Sequence, residues 1–178
     1  LLTQTQGHQE SVGFGLRTVT AGQYALTQPA VILHYLRLAL WPHPLCLDYQ
    51  WEPVTAWTAA IPSLLGLGAI VAGLIWAGRR WPATRFLGIW FFLVLSVSSS
   101  VIPIQDLAFE HRMYLPLWSV ILALLLALES ALTRYLPPGK RGKVFLLIVA
   151  LGAIGWGGMT VRRNRDYRDS VTMWQDIL

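Results

Sequence analysis

Four apolar stretches, residues 55–78, 86–103, 115–132 and 144–161, run through this chain with short polar segments between them. A helix rises about 1.5 Å per residue, and a hydrocarbon core about 30 Å thick takes roughly 17 to 25 apolar residues to cross. Every stretch falls in that range, so four transmembrane helices are expected. Charge then orients them. Arg79, Arg80 and Arg85 lie between the first two stretches, and Arg134, Lys140, Arg141 and Lys143 between the last two, with no acid in either connection. Lys and Arg collect in cytoplasmic connections, which assigns both to the cytoplasmic side. Residues 104–114, the segment before Thr55 and the tail after Val161 then face the other way. That tail is basic too, with Arg162, Arg163, Arg165 and Arg168, but Asp166 and Asp169 offset part of the charge. Trp57, Trp76, Trp90 and Trp156 lie towards the ends of the stretches, where amphipathic rings favour the headgroup layer.

Composition agrees. Apolar residues make up 54% of the chain and charged ones 13%, against about 25% charged in soluble domains. The formal net charge of +5 requires no nucleic acid, because half of the 14 basic residues belong to the two inner connections. A solvated basic face with stacking aromatics is missing. Cys46 is the only cysteine, which removes both a disulfide framework and a Cys-based metal site. No signal-peptide pattern opens the chain, and its start at Leu1 leads us to expect a portion of a longer protein.

The flanks differ from the apolar centre. Residues 1–23 are polar and aperiodic and read as an extracytoplasmic loop. From Tyr24 to Trp41 a helical period appears, with Gln23, Thr27, His34 and Arg37 near one stripe and Leu26, Leu33, Leu36 and Leu40 on another. Arg37 near a bilayer centre would cost roughly 2.5 to 3.5 kcal/mol on insertion scales. An interfacial amphipathic helix within residues 24–54 is therefore expected, its regular part running from Pro29 to Trp41. Pro42 and Pro44 end it, and the string LDYQWEP follows, bringing Asp48, Tyr49 and Glu52 to the outer mouth of the first span. In residues 162–178, Tyr167, Val171, Trp174 and Leu178 recur at helical spacing. That stripe predicts an amphipathic helix opening a further, extracytoplasmic domain.

The densest polar cluster is Gln105, Asp106, Glu110, His111, Arg112 and Tyr114, directly before the third stretch. If it is helical, Asp106, Glu110 and Tyr114 share a face; if extended, Glu110, Arg112 and Tyr114 do. Either way a carboxylate stands beside a phenol. Two readings remain open on the residues alone. Arg112 suits an anionic headgroup such as a phosphate, through its planar fork of donors, with Glu110 orienting it or contacting a sugar hydroxyl. The plainer reading is a solvated loop with a surface ion pair contributing about 0 to 1 kcal/mol. Neither His111 nor His34 has a second His or Cys at ligand spacing, so no metal is expected. No GxSxG or P-loop is present.

The order LDYQWEP, four spans, Asp106-x3-EHRMYLP and then NRDYRDSVTMWQDIL resembles the C-terminal membrane half of the transmembrane-and-tetratricopeptide-repeat proteins. The likeness covers roughly residues 24–178, and bacterial members resemble it most in EHRMYLP. Eukaryotic members are regarded as protein O-mannosyltransferases of the GT-C class. The resemblance implies an all-α polytopic membrane bundle leading into a tetratricopeptide-like repeat domain, in a bacterial inner membrane, with outer loops and C-terminus extracytoplasmic. It implies transfer of a sugar, mannose in the family, from a polyprenyl phosphate to hydroxyls of an acceptor protein. Membrane lipid is a further partner, and no cofactor is implied beyond the lipid-linked donor. Arg112, Glu110, His111, Tyr114 and Asp106 become candidates for the donor phosphate. The family's catalytic acid lies in a first outer loop that would fall upstream of Leu1, so this chain alone is expected to be inactive. The alternative is a non-enzymatic membrane anchor presenting repeats for envelope assembly.

Overall fold

A computed structural model describes residues 19–43, 49, 51–97, 99 and 107–166. The described residues form α1 (Ala21–Leu40), α2 (Trp57–Arg80), α3 (Pro82–Ser96), a 3-10 turn (Glu110–Met113), α4 (Tyr114–Tyr135) and α5 (Pro138–Asp166). Neighbours in sequence pack as neighbours in space, α1 on α2, α2 on α3, α3 on α4 and α4 on α5.

Proline sets two of the joints. The residue before a proline is pushed out of the helical region, and Trp81, before Pro82, is extended at φ −126° and ψ 100°. That one residue ends α2 and starts α3, whose first position suits a proline because its N–H would be unpaired anyway. Leu136, before Pro137, is extended likewise and ends α4. Both basic connections are thus tighter than the sequence suggests, and most of their cations belong to helix ends. Arg79 and Arg80 sit in the last turn of α2, where the helix dipole favours them. Arg141 lies in the first turns of α5, against the dipole, but it reaches back to α4. Its Nε donates to the Leu136 carbonyl at 2.8 Å and its Nη2 to that of Thr133 at 3.0 Å. Carbonyls left over at a helix C-terminus are paired in this way.

Three segments are long and apolar enough to cross a membrane: Trp57–Arg80, Glu110–Tyr135 and Pro138–Arg162. The expected span 86–103 is only partly within the described residues. Its regular part, α3, has 15 residues, about 22 Å of helix, and begins four residues earlier than expected because Pro82 starts it. The third span gains a turn at its N-terminus, and α5 extends well beyond 144–161 at both ends. Of the most apolar window of α5, 0% is buried. Apolar surface in water is disfavoured by about 25 cal/mol per Å², so a helix apolar on all sides suits lipid. The tail 167–178, with its predicted amphipathic helix, lies outside the described residues.

Tertiary packing corrects the reading of α1. It starts at Ala21 rather than Pro29, because Thr20 and Gln23 form a reciprocal capping box. Pro29 sits inside the helix, where it removes one backbone donor. The buried stripe is Tyr24, Gln28, Val31, Tyr35 and Leu38, while Leu40 is exposed. Val31, Ile32 and Tyr35 pack with Phe91 and Leu95 from the C-terminal half of α3 and with Ala108 and Met113. The end of α3 and the start of α4 therefore meet beneath α1, and the joints at Trp81 and Leu136 both lie towards the other end of the helices.

The α2–α3 hairpin depends on a close approach. A Cβ at Gly78 would meet Arg85 Cβ at 2.8 Å, whereas Gly73 has nothing within 4 Å. Alanine normally stabilises a helix interior over glycine by about 1 kcal/mol. Gly73→Ala should therefore raise the thermal midpoint in detergent, followed by circular dichroism. Gly78→Ala should lower it, since overpacking costs roughly 1 to 3 kcal/mol; equal midpoints would remove this contact as a constraint.

Candidate functional site

The EHRM string forms the 3-10 turn Glu110–Met113 and runs directly into α4. Glu110 thereby stands at the N-terminal end of an apolar helix, where the backbone dipole favours an acid. Phe109, just before it, is extended.

Three tyrosines converge on this turn. The Tyr49 hydroxyl donates to Glu110 Oε1 at 2.7 Å, across 61 residues of sequence. The Tyr35 hydroxyl accepts from the Phe109 N–H at 2.7 Å. Arg112 Nη1 donates to the Tyr24 hydroxyl and to the Leu107 carbonyl, both at 3.4 Å, and its guanidinium carbon lies 5.8 Å from the centre of the Phe109 ring. Tyr24 and Tyr35 are wholly buried. Burial raises the Tyr24 hydroxyl pKa, with Arg112 opposing. Burial raises that of Tyr35 as well, opposed by the Phe109 N–H and by Arg112. Both therefore remain neutral hydroxyls, able to accept and to donate.

The segment bearing Tyr49 is strapped along α1. Thr27 Oγ1 accepts from the Val54 N–H at 2.8 Å while donating to the Gln23 carbonyl. The His34 ring meets Tyr49 and Trp51 edge-on, at centroid distances of 4.9 and 5.2 Å. Burial, and to a smaller degree Arg37, lowers the His34 pKa, and its buried Nε2 has no hydrogen-bond partner among the described residues. Gln28, on the α1 stripe between Tyr24 and Tyr35, is likewise buried, with neither amide atom partnered among the described residues. Buried polar atoms are rarely left so.

Of the residues singled out from sequence, the fold brings Glu110 and Arg112 into this cluster. His111 is exposed, its ring 5.0 Å from Phe109. Tyr114 is 71% exposed, so the phenol beside Glu110 is Tyr49 instead. A 3-10 turn breaks the i, i+4 register that would have aligned Glu110 with Tyr114. Asp106 lies outside the described residues, as does Asp48. Tyr24 and Tyr35 escaped the sequence reading, although the spacing of Tyr24, Gln28, Val31 and Tyr35, four then three then four, carried the signal. Leucine content drew attention to the wrong stripe. Among the described residues no group of three or more His, Cys, Asp or Glu could hold a metal. Among the described residues the arrangement includes a guanidinium that donates to the Tyr24 hydroxyl and the Leu107 carbonyl beside the Phe109 ring, and a carboxylate that accepts from the Tyr49 phenol. Comparison with protein-family models, curated proteins and solved structures finds no match for this chain.

Two measurements probe the cluster. Hydrogen bonds to charged groups contribute about 1.5 to 3 kcal/mol. Tyr49→Phe and Glu110→Gln should each destabilise, and their double-mutant cycle should show coupling; strict additivity would show that the two side chains do not interact. His34 binds a proton less readily folded than unfolded. The stability it contributes is thus present above its ordinary value of 6.5 and is lost as pH falls through the folded value. Denaturation midpoints should drop below about pH 6.5, and His34→Gln should flatten that drop.

Proposed function

We propose that this chain is the membrane half of a GT-C-like glycosyltransferase that transfers a sugar, mannose by resemblance, from a polyprenyl phosphate to protein hydroxyls. The observation that carries this reading is the fixed pair of Arg112 and Glu110 at the end of an apolar helix, supported by Tyr24, Tyr35 and Tyr49. A lipid-linked phosphate needs this combination, an apolar flank for its tail and a preorganised cation at the rim.

In the proposed reaction the acceptor oxygen attacks the anomeric carbon and the sugar–phosphate bond breaks with inversion. Arg112 stabilises the negative charge that grows on the departing phosphate, and a carboxylate from the first outer loop of the whole enzyme takes the acceptor proton. Glu110, oriented by Tyr49, meets a sugar hydroxyl. The Gln28 amide, buried without a partner among the described residues, is in keeping with a polar ligand near this stripe. In this arrangement α3 belongs to a fourth span, α1 covers the outer mouth in the interface, and the tail leads into tetratricopeptide-like repeats. The turns at Trp81 and Leu136 face the cytoplasm, while the Glu110 turn and the C-terminus are extracytoplasmic.

The test is sugar transfer by the full-length protein, with the lipid-linked donor titrated. Removing one donor that stabilises a developing oxyanion costs about 100- to 1,000-fold in kcat. Arg112→Ala should show a loss of that order, with weakened donor affinity, and Arg112→Lys should recover part of it. Unchanged turnover and affinity in Arg112→Ala would overturn the role, and a full-length protein with no transfer activity would favour the anchor.

A further inference from the structure

A second feature, independent of the proposed reaction, lies between α2 and α3. Between α2 and α3 runs a groove of about 530 Å³ that opens to the outside, within the range of ligand sites, roughly 300 to 1,000 Å³. Val71, Leu74, Ile75, Ile89, Phe92 and Leu93 line it, with Arg85. Its apolar walls stay uncovered: Ile75, Ile89 and Leu93 are all more than half exposed.

One cation, Arg85, lines the groove at the N-terminal end of α3, and Ser96 lines it at the C-terminal end. On α3, Arg85 lies one turn before Ile89, and on α2, Arg79 lies one turn beyond Ile75, each at the i, i+4 spacing that shares a face. The connection from Arg79 to Arg85 contains no acid. The two helices approach closely here, the Arg85 Cβ lying 2.8 Å from where a side chain at Gly78 would begin. Trp76 and Trp81 stand exposed beside it, and such rings settle at the headgroup layer. An apolar groove with Arg85 in its lining and Arg79 one turn beyond Ile75 complements a molecule with a long hydrocarbon chain and an anionic phosphate head.

We propose that this groove binds an anionic phospholipid, with one acyl chain along α2 and α3 and the phosphate between Arg79 and Arg85. The guanidinium forks take the phosphate oxygens, and the chain covers apolar surface that the fold leaves open. This is a discrete lipid site on the face carrying the basic joints, at the far end of the bundle from Arg112.

Native mass spectrometry of the purified chain in detergent, with equal amounts of dioleoylphosphatidylglycerol and dioleoylphosphatidylcholine, tests it. The anionic lipid should be retained preferentially, and the preference should fall about fivefold for each of Arg79→Gln and Arg85→Gln. Lys140→Gln, at the other basic joint, should leave it as in the unaltered protein. Leu93→Trp should weaken retention of both lipids by filling the groove. A phosphatidylglycerol bearing a photoreactive acyl chain should label peptides of α2 and α3 in the unaltered protein, a readout that no folding defect can affect. Equal retention of the two lipids, a preference that survives in the double arginine variant, or labelling confined to α5 would overturn the site.

Discussion

Tyr24 and Tyr35 are wholly buried, and a buried hydroxyl is tolerated only when it finds a hydrogen-bond partner. Both find theirs in the chain entering α4, Tyr35 at the Phe109 N–H and Tyr24 at Arg112. This pairing ties α1 to a segment some seventy to ninety residues away in sequence. Without it α1 would have no reason to bury its tyrosine stripe rather than its leucines. The position of α1 in turn fixes the return segment, because Thr27 and His34 hold Val54, Tyr49 and Trp51 along it. Tyr49 is thereby delivered to Glu110. Pairing of tyrosine hydroxyls removed from water therefore joins α1 to the chain entering α4.

The other end is governed by a different rule. There the chain reverses at Trp81 and Leu136, each made extended by a following proline. The cations gathered at these reversals are used differently. Arg141 pairs the last carbonyls of α4, whereas Arg85 lines an open apolar groove. Between the two ends, apolar helices face outward with little burial, so lipid rather than a protein core supplies their surroundings. The molecule thus has two polar ends of unlike chemistry, one organised by phenols around a carboxylate and a guanidinium, the other by arginines beside a hydrocarbon-lined channel.

Much of this was legible in the residues. Length and apolarity located α2, α4 and α5, since a helix that crosses lipid must draw all its hydrogen bonds from its own segment. Pro82 and Pro137 carried the signal for the joints. The EHRMYLP string drew attention to Glu110 and Arg112 because charged residues concentrated against an apolar helix are costly to bury without purpose. The partner of Glu110 was less legible: Tyr114 is near in sequence, but the 3-10 turn rotates it outward, and Tyr49 arrives from a distant segment. The stripe of α1 was misread for a related reason, since hydropathy ranks leucine above tyrosine and takes no account of a partner for the hydroxyl.

Local chemistry along the chain was enough to establish the helices, their approximate ends and the placing of charge at their termini, because backbone pairing, proline geometry and apolar run length act within a few residues. Which face of α1 turns inward, which phenol meets Glu110, and how the stem of Arg85 is seated against Gly78 were settled only when the helices packed. Those outcomes rest on contacts across tens of residues, where the pairing of buried polar atoms and the fit of one side chain against a missing one outweigh local preference.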